Sequence, residues 1–235
     1  MIKIIKLSND TTVYLAKLTV HNSQWRENDQ QNQRKNANLL WSSSTWILAL
    51  LPPDSIEQLL ARTQAIAGLT LAELAGQLEV QLPVDLKRDK GTVGQLIEAA
   101  LGACAGSKAE PDFPHLGVEL KTLPIDRYGK PLESTYVCVA PLTGTVLEQF
   151  AESWVCRKLQ RVLWVPIFAE REIPLAERII GNGFLWQPSA MQYQALQQDW
   201  EELVEQISLG GLDQIRGANG KYLQLRPKAA NSKAL

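Results

Sequence analysis

Residues 111–124 read PDFPHLGVELKTLP, and this stretch combines an apolar strand pattern with three charged side chains. The segment Leu116–Leu123 has the apolar character of a buried β-strand, yet Glu119 and Lys121 interrupt it. A further acid, Asp112, precedes the segment by a few residues. Because charged groups are costly to bury unless they are paired or bind a metal ion, the stretch predicts an ion pair or a charged site built on a strand.

The composition is that of an ordinary globular chain and excludes several classes of protein. The 235 residues include 45% hydrophobic and 21% charged residues, enough apolar side chains for a sizeable core. The net charge is -1, so any contact with DNA must come from a local basic surface. Three widely spaced cysteines and two histidines argue against a disulfide framework or a zinc cluster. Since no run of about 18 apolar residues occurs, we expect a cytoplasmic protein without a membrane span.

Periodicity and turn residues predict an α/β (α+β) fold with a central mixed sheet flanked by helices. Helices are predicted over about 54–67, 70–78, 92–101 and 190–207, and strands over Leu116–Leu123, Thr135–Ala140, Val162–Phe168 and 221–227. Thr70 with Glu73, and Thr92 with Gln95, are typical of capping boxes. The turn residues of Asp126–Gly129 predict a β-hairpin between the first two strands. Residues 1–50 are rich in Asn and Gln after a short strand pattern, and we expect them to form an extension outside the main domain, which begins near residue 54.

Alternation along a strand places Glu119 and Lys121 on one face. The Pro–His–Leu–Gly bend that follows Asp112 allows this acid to return beside Glu119. Two carboxylates suit Mg²⁺, which can polarise a phosphoryl oxygen and activate a water molecule, while a nearby lysine orients that water or stabilises negative charge. An Asp followed by Glu-x-Lys is the pattern of restriction-endonuclease-like nucleases, but an exposed ion pair on an edge strand fits the same residues.

Two further charged features have both a structural and a functional interpretation. Glu98 is the only charged residue between Lys90 and Lys108, on an otherwise apolar predicted helix. It either turns to solvent or contributes another charge to the acidic site. The basic run at 157–161, RKLQR, is either an ordinary exposed charge cluster or a surface that contacts phosphate.

Several segments together resemble the MutH family of DNA mismatch repair endonucleases. They are DLKRDKG (85–91), GSKAEPDFPHLGVELKTLP (106–124), PLESTYVCVAPLTG (131–144), RKLQRVLWVP (157–166) and YLQLRPKAAN (222–231), and the resemblance covers roughly 54–235. It implies a restriction-endonuclease-like fold of two lobes around a DNA cleft. It also implies a monomeric, Mg²⁺-dependent enzyme that nicks the unmethylated strand of hemimethylated GATC sites in double-stranded DNA. MutL, loaded by MutS at a mismatch, is the implied activator.

The resemblance also implies which residues form the catalytic centre. Asp112 and Glu119 match the metal-binding acids, with the carbonyl of Leu120 as a further ligand. Lys121 matches the catalytic lysine, and Glu98 matches an acid on the neighbouring helix that assists the site.

For DNA, the resemblance implies three basic residues. Lys90 and Lys158 match basic residues near DNA or the active site, and Arg226 matches the arginine of the sequence-recognising segment. An arginine suits that task because its guanidinium can bond O6 and N7 of guanine together.

Two departures from the family pattern lie at the ends of the chain. Residues 1–50 have no counterpart that we recognise, and the sequence ends at Leu235, whereas the family continues for a few dozen residues. That continuation carries a tyrosine linked to adenine-methylation sensing and a helix linked to the MutL response. Two alternatives therefore stay beside the nicking enzyme: a GATC restriction endonuclease, and a truncated protein that binds DNA or MutL without catalysis.

Overall fold

The structure is a computed structural model that describes residues 3–7, 51–83, 91–106, 110–140, 149–209 and 220–227. Its helices and strands are, in chain order, β1 Lys3–Leu7, α1 Ile56–Ile66, α2 Leu71–Gln77, α3 Thr92–Leu101, β2 Glu119–Ile125, β3 Tyr136–Ala140, α4 Trp154–Leu159, β4 Val162–Phe168, β5 Phe184–Trp186, α5 Ala190–Ser208 and β6 Leu223–Pro227. Within these ranges no helix has the length and apolar character needed to cross a membrane.

The helices begin where local capping signals stand in the sequence, with one exception. Ser55 caps α1, and the capping box of Thr70 and Glu73 caps α2, as predicted. The capping box predicted at the start of α3 is wrong. Thr92 is already the first helical residue, and Gly91 occupies the cap position without a side-chain hydrogen bond. The apolar periodicity therefore predicts α3 correctly, although its capping chemistry differs.

A mixed three-stranded sheet in the order β2-β4-β5 is the central sheet that the sequence predicts. β2 and β4 run parallel over their full lengths, and β4 pairs antiparallel with β5. The predicted hairpin between β2 and β3 is wrong. Asp126–Gly129 does form a tight turn, with the N–H of Gly129 donating to the carbonyl of Asp126 at 3.0 Å. After this turn, however, β3 pairs with β1 in a second sheet of order β3-β1-β6.

The five residues of β1 form the central strand of that second sheet. β1 pairs antiparallel with β3 on one side and with β6 on the other, and Ile4 lies opposite Arg226. Lys3–Leu7 is therefore part of the sheet, unlike the separate extension that we expected for residues 1–50. The rest of that expectation, 8–50, lies outside the described residues, and the domain boundary near residue 54 stays a prediction.

The central sheet is covered on both faces, which explains the almost continuous apolar sequence of β4. Leu163 and Val165 of β4 pack with α1, α2 and α3 on one face. Val162 and Trp164 pack on the other face with α4, α5 and the strands β3 and β6. Burial on both faces fixes the register of β2 and β4, and therefore the position of the charged residues at the start of β2.

Candidate active site

A tight turn returns Asp112 to the beginning of β2. Phe113 and Val118 bridge each other by two main-chain hydrogen bonds, and Pro114–Leu116 forms a 3₁₀ turn between them. Gly117 closes the turn with φ 62°, a left-handed conformation that favours glycine. β2 therefore begins later than the predicted Leu116. The predicted return of Asp112 is confirmed, since the N–H of Leu120 donates to its Oδ2 at 2.7 Å.

Glu119 and Lys121 lie on the same face of β2, as alternation along the strand predicts. Lys121 Nζ donates to Glu119 Oε1 at 2.5 Å. Glu119 is almost fully buried, with 1% of its side chain exposed, whereas 17% of the Lys121 side chain is exposed. The glutamate therefore lies below the surface, and the lysine reaches from it towards the solvent.

A second lysine reaches Glu119 from α4. Lys158 Nζ donates to both carboxylate oxygens of Glu119, at 2.8 and 2.9 Å, and only 11% of its side chain is exposed. Its ammonium also lies 5.7 Å from the ring centroid of Trp154, within range of a cation–π contact. Lys158 is therefore part of the acidic cluster, and not of an exposed basic surface. A direct contact between Lys158 and DNA stays a prediction.

Glu98 completes a cluster of three acids and two lysines. Burial raises the pKa of Glu98, and the charge of Asp112 raises it further, while Lys121 lowers it. Burial likewise raises the pKa of Asp112, with a further increase from the charge of Glu119. Glu98 is half-buried and lines the same cleft as Lys121, so its side chain lies at the site although part of it remains accessible to solvent. The cluster carries one more acid than base, and it would gain from an added cation.

A cleft of about 690 Å³ opens beside this cluster. Glu98, Leu120 and Lys121 line one part of it. Tyr136, 44% exposed at the start of β3, lines another part, together with the turn that precedes it. The cleft therefore reaches Glu98 and Lys121 of the cluster.

The chemistry of the cluster fits a hard divalent cation. Asp112 and Glu119 supply carboxylate oxygens of the kind that such a cation prefers, and Leu120, whose N–H donates to Asp112, lines the cleft. In the described ranges, no three His, Cys, Asp or Glu side chains converge closely enough to hold a metal by themselves. A bound Mg²⁺ would therefore depend on main-chain and water oxygens as well as on the two carboxylates.

The structure gives less information on Lys90 and Arg226, the other two residues predicted to contact DNA. Lys90 lies outside the described residues. Arg226 lies in β6, at the far side of β1 from β3. The structure therefore brings together Glu98, Asp112, Glu119, Lys121 and Lys158, while the positions of the other basic groups relative to the cluster stay predictions.

Two residues next to the cluster, Arg161 and Cys138, were not predicted from the sequence to lie there. Arg161 belongs to the basic run, but it supports the turn before β2. Its guanidinium donates to the carbonyl of Leu116 at 3.1 Å, and its own carbonyl accepts from the N–H of Glu119 at 3.0 Å. Cys138 is buried next to the charges of the site, and burial raises its thiol pKa to about 12. Neither contact has a local signal, because the partners are far apart in sequence.

Comparison with known proteins decides the family. Residues 101–199 match the family model described as "DNA mismatch repair enzyme MutH". A protein of Shewanella baltica (strain OS185) named "DNA mismatch repair protein MutH" is 58% identical over 186 residues, which cover 79% of this chain and 83% of the relative. The protein of the same name from Shewanella oneidensis is 56% identical over 187 residues, 80% of this chain and 84% of the relative. The chain belongs to the MutH family.

Membership of the MutH family confirms the resemblance and the fold class inferred from the sequence. The MutH family has a restriction-endonuclease-like fold, and the mixed central sheet with its flanking helices agrees with it. The model match spans Asp112, Glu119, Lys121 and Lys158. The MutH assignment therefore covers most of the cluster, and it makes this chain a DNA mismatch repair protein.

Proposed function

We propose that this protein is a Mg²⁺-dependent endonuclease that nicks the unmethylated strand of hemimethylated GATC sites in mismatch repair. The observation that carries the proposal is the convergence of Asp112, Glu119 and Lys121 at the beginning of one strand beside an open cleft. Two carboxylates with a lysine can bind a divalent cation and stabilise charge on a phosphate. MutL, and indirectly MutS, are the proposed partners, and the cytoplasm, where chromosomal DNA lies, is the proposed location.

In the proposed mechanism, Asp112, Glu119 and the carbonyl of Leu120 would hold the ion. Its chemistry there would be to polarise a phosphoryl oxygen and to make a water molecule more acidic. Lys121 Nζ exchanges its hydrogen bond with Glu119 for one to the attacking water, and orients that water in line with the scissile bond.

Lys158 and Glu98 position the groups that act on the substrate. Lys158 donates two hydrogen bonds to Glu119 and so holds the glutamate side chain in its buried position. Glu98 adds negative charge near Lys121, which keeps the ammonium in place before the substrate arrives.

The proposal is tested by measuring nicks in a circular plasmid with one GATC site, prepared unmethylated, hemimethylated or fully methylated, with and without MutL. The expected result is a single nick in the unmethylated strand, dependent on Mg²⁺ and faster with MutL. Breaks in both strands of unmethylated DNA without MutL would favour a restriction endonuclease instead. Binding to GATC without nicking at any MutL concentration would mean that the chain is a non-catalytic binding protein.

Substitutions at the cluster connect the activity to the site. Asp112→Asn and Lys121→Ala should each slow nicking by at least about 100-fold, since each removes a group that acts on the reacting atoms. Glu202→Gln is the matched control, because Glu202 lies exposed on α5 and its loss changes net charge by the same amount as Asp112→Asn. Full activity of Asp112→Asn or of Lys121→Ala would refute the assignment of the site.

A further inference from the structure

A buried acid on α5 holds the start of β6. Asp199 lies on α5 with 5% exposure. It accepts hydrogen bonds from three consecutive main-chain N–H groups: Lys221 at 2.9 Å on Oδ1, Tyr222 at 2.5 Å and Leu223 at 2.8 Å on Oδ2. A carboxylate that accepts several main-chain N–H groups is a strong and directional anchor.

The segment that Asp199 anchors is closely packed. Gly220 has φ 89°, and a Cβ atom there would lie 2.1 Å from the carbonyl oxygen of Leu223 and 3.4 Å from Asp199 Cγ. Leu223 and Leu225, which follow, are buried in the same core cluster as Trp200 of α5. The carboxylate and the core contacts therefore fix both the start and the inward face of β6.

The anchor matters because β6 has a neighbouring strand on one side only. Among the described strands, β6 pairs with β1 alone and lies at the edge of its sheet. A slip of one residue against β1 would exchange the two faces of the strand. Arg226, three residues after Leu223, would then lose its register position opposite Ile4.

We propose that Asp199 is a positioning residue for DNA recognition: it holds β6 in the register on which recognition of GATC by Arg226 depends. This inference rests on the proposed function, because it takes Arg226 as the arginine that recognises the GATC site. Asp199 does not touch the DNA in this account; it acts through the main chain of residues 221–223.

The test compares binding of a GATC duplex with binding of a duplex in which the four bases are permuted. Asp199→Asn keeps the shape of the side chain but offers one acceptor oxygen, so one side of the anchor is lost. We expect the preference for GATC to fall by at least fivefold, with binding to the permuted duplex unchanged within twofold. A fivefold loss is the lower limit expected when a bidentate arginine–guanine contact is lost, since such a contact contributes about 5- to 150-fold to base discrimination. Glu202→Gln, on the same helix, is the matched control and should keep the wild-type preference.

A double variant separates positioning from a general effect on stability. If Asp199 acts through Arg226, Asp199→Asn should lower the preference no further in an Arg226→Ala background. An additional loss in that background would overturn the inference, as would an unchanged preference in folded Asp199→Asn. An equal loss of affinity for both duplexes would overturn it as well.

Two further measurements decide the remaining outcomes. Hydrogen exchange of the Tyr222 and Leu223 amides in the wild-type protein should be strongly protected, and exchange at the rate of an unfolded chain would overturn the anchor itself. If Asp199→Asn does not fold, Asp199→Glu, which keeps the charge but moves the carboxylate, takes its place in the binding comparison. A wild-type protein without GATC preference would refute the proposed function, whereas a preference that survives both substitutions refutes only the role of Asp199.

Discussion

Replacement of Lys158 by methionine should destabilise the protein strongly, because the buried carboxylate of Glu119 would lose one of its two lysine partners. Glu119 is 1% exposed and would lose the hydrogen bonds at 2.8 and 2.9 Å, while the bond from Lys121 at 2.5 Å remains. Removal of one partner from a buried ion pair costs about 3–5 kcal/mol. Since Lys121 still neutralises one oxygen of Glu119, we expect a loss near the lower end, about 3 kcal/mol.

The assay is urea unfolding followed by tryptophan fluorescence, with thermal unfolding in parallel. A loss of about 3 kcal/mol corresponds to a decrease of roughly 6–12 °C in Tm for a chain of this size. Arg157→Met is the matched control: Arg157 is the exposed neighbour of Lys158 on α4, and its loss should change stability by less than about 0.5 kcal/mol.

A double-mutant cycle assigns the loss to Glu119. In a Glu119→Gln background, Lys158→Met should cost at least about 1.5 kcal/mol less than it does in the wild type, because no buried charge is left alone. The reasoning is refuted if Lys158→Met costs less than about 1 kcal/mol. It is also refuted if the cost is the same in both backgrounds.

Three further predictions follow from the same cluster. Asp112→Asn should raise the free energy of unfolding at pH 7.5. The raised pKa of Asp112 means that the folded protein binds this proton more tightly than the unfolded chain does, so the stability of the wild type falls as pH rises through that pKa. Urea unfolding should therefore show that the stability gained by Asp112→Asn disappears below pH 3.8, where the acid is protonated in both states. Mg²⁺ at millimolar concentration should raise the Tm of the wild type but not that of Glu119→Gln, and an equal rise in both would contradict binding at this site. Gly117→Ala should cost about 1 kcal/mol because of its φ of 62° and should slow nicking, whereas Gly76→Ala, the same change within α2, should be neutral or stabilising in the same unfolding experiment.

The sequence predicts the helices well because their signals are local. Apolar spacing of 3.6 residues and the caps at Ser55 and Thr70 indicate α1 and α2 without any knowledge of their neighbours. The pairing of strands is different, because it depends on partners far along the chain. β2 pairs with β4 across the helix α4, and β3 pairs with β1, so a turn signal at Asp126–Gly129 could not reveal that the two flanking strands belong to different sheets.

The candidate site shows the same division. Alternation along β2 is enough to place Glu119 and Lys121 together, and the Pro114–Gly117 bend explains the return of Asp112. The contact between Glu119 and Lys158 spans 39 residues and depends on how α4 packs against the sheet, so the basic run alone suggested an exposed surface. Glu98 gave a usable signal, since a lone acid on an apolar helix needs a partner.

The most direct test of the central claim is the rate of Mg²⁺-dependent nicking of hemimethylated GATC plasmid by the wild type, Lys121→Ala and Glu202→Gln in one experiment. We expect the wild type and Glu202→Gln to nick the unmethylated strand at the same rate, and Lys121→Ala to be at least about 100-fold slower while it still binds the DNA. Nicking by Lys121→Ala at the wild-type rate would contradict the account, because the cluster at the start of β2 would then not be the catalytic centre.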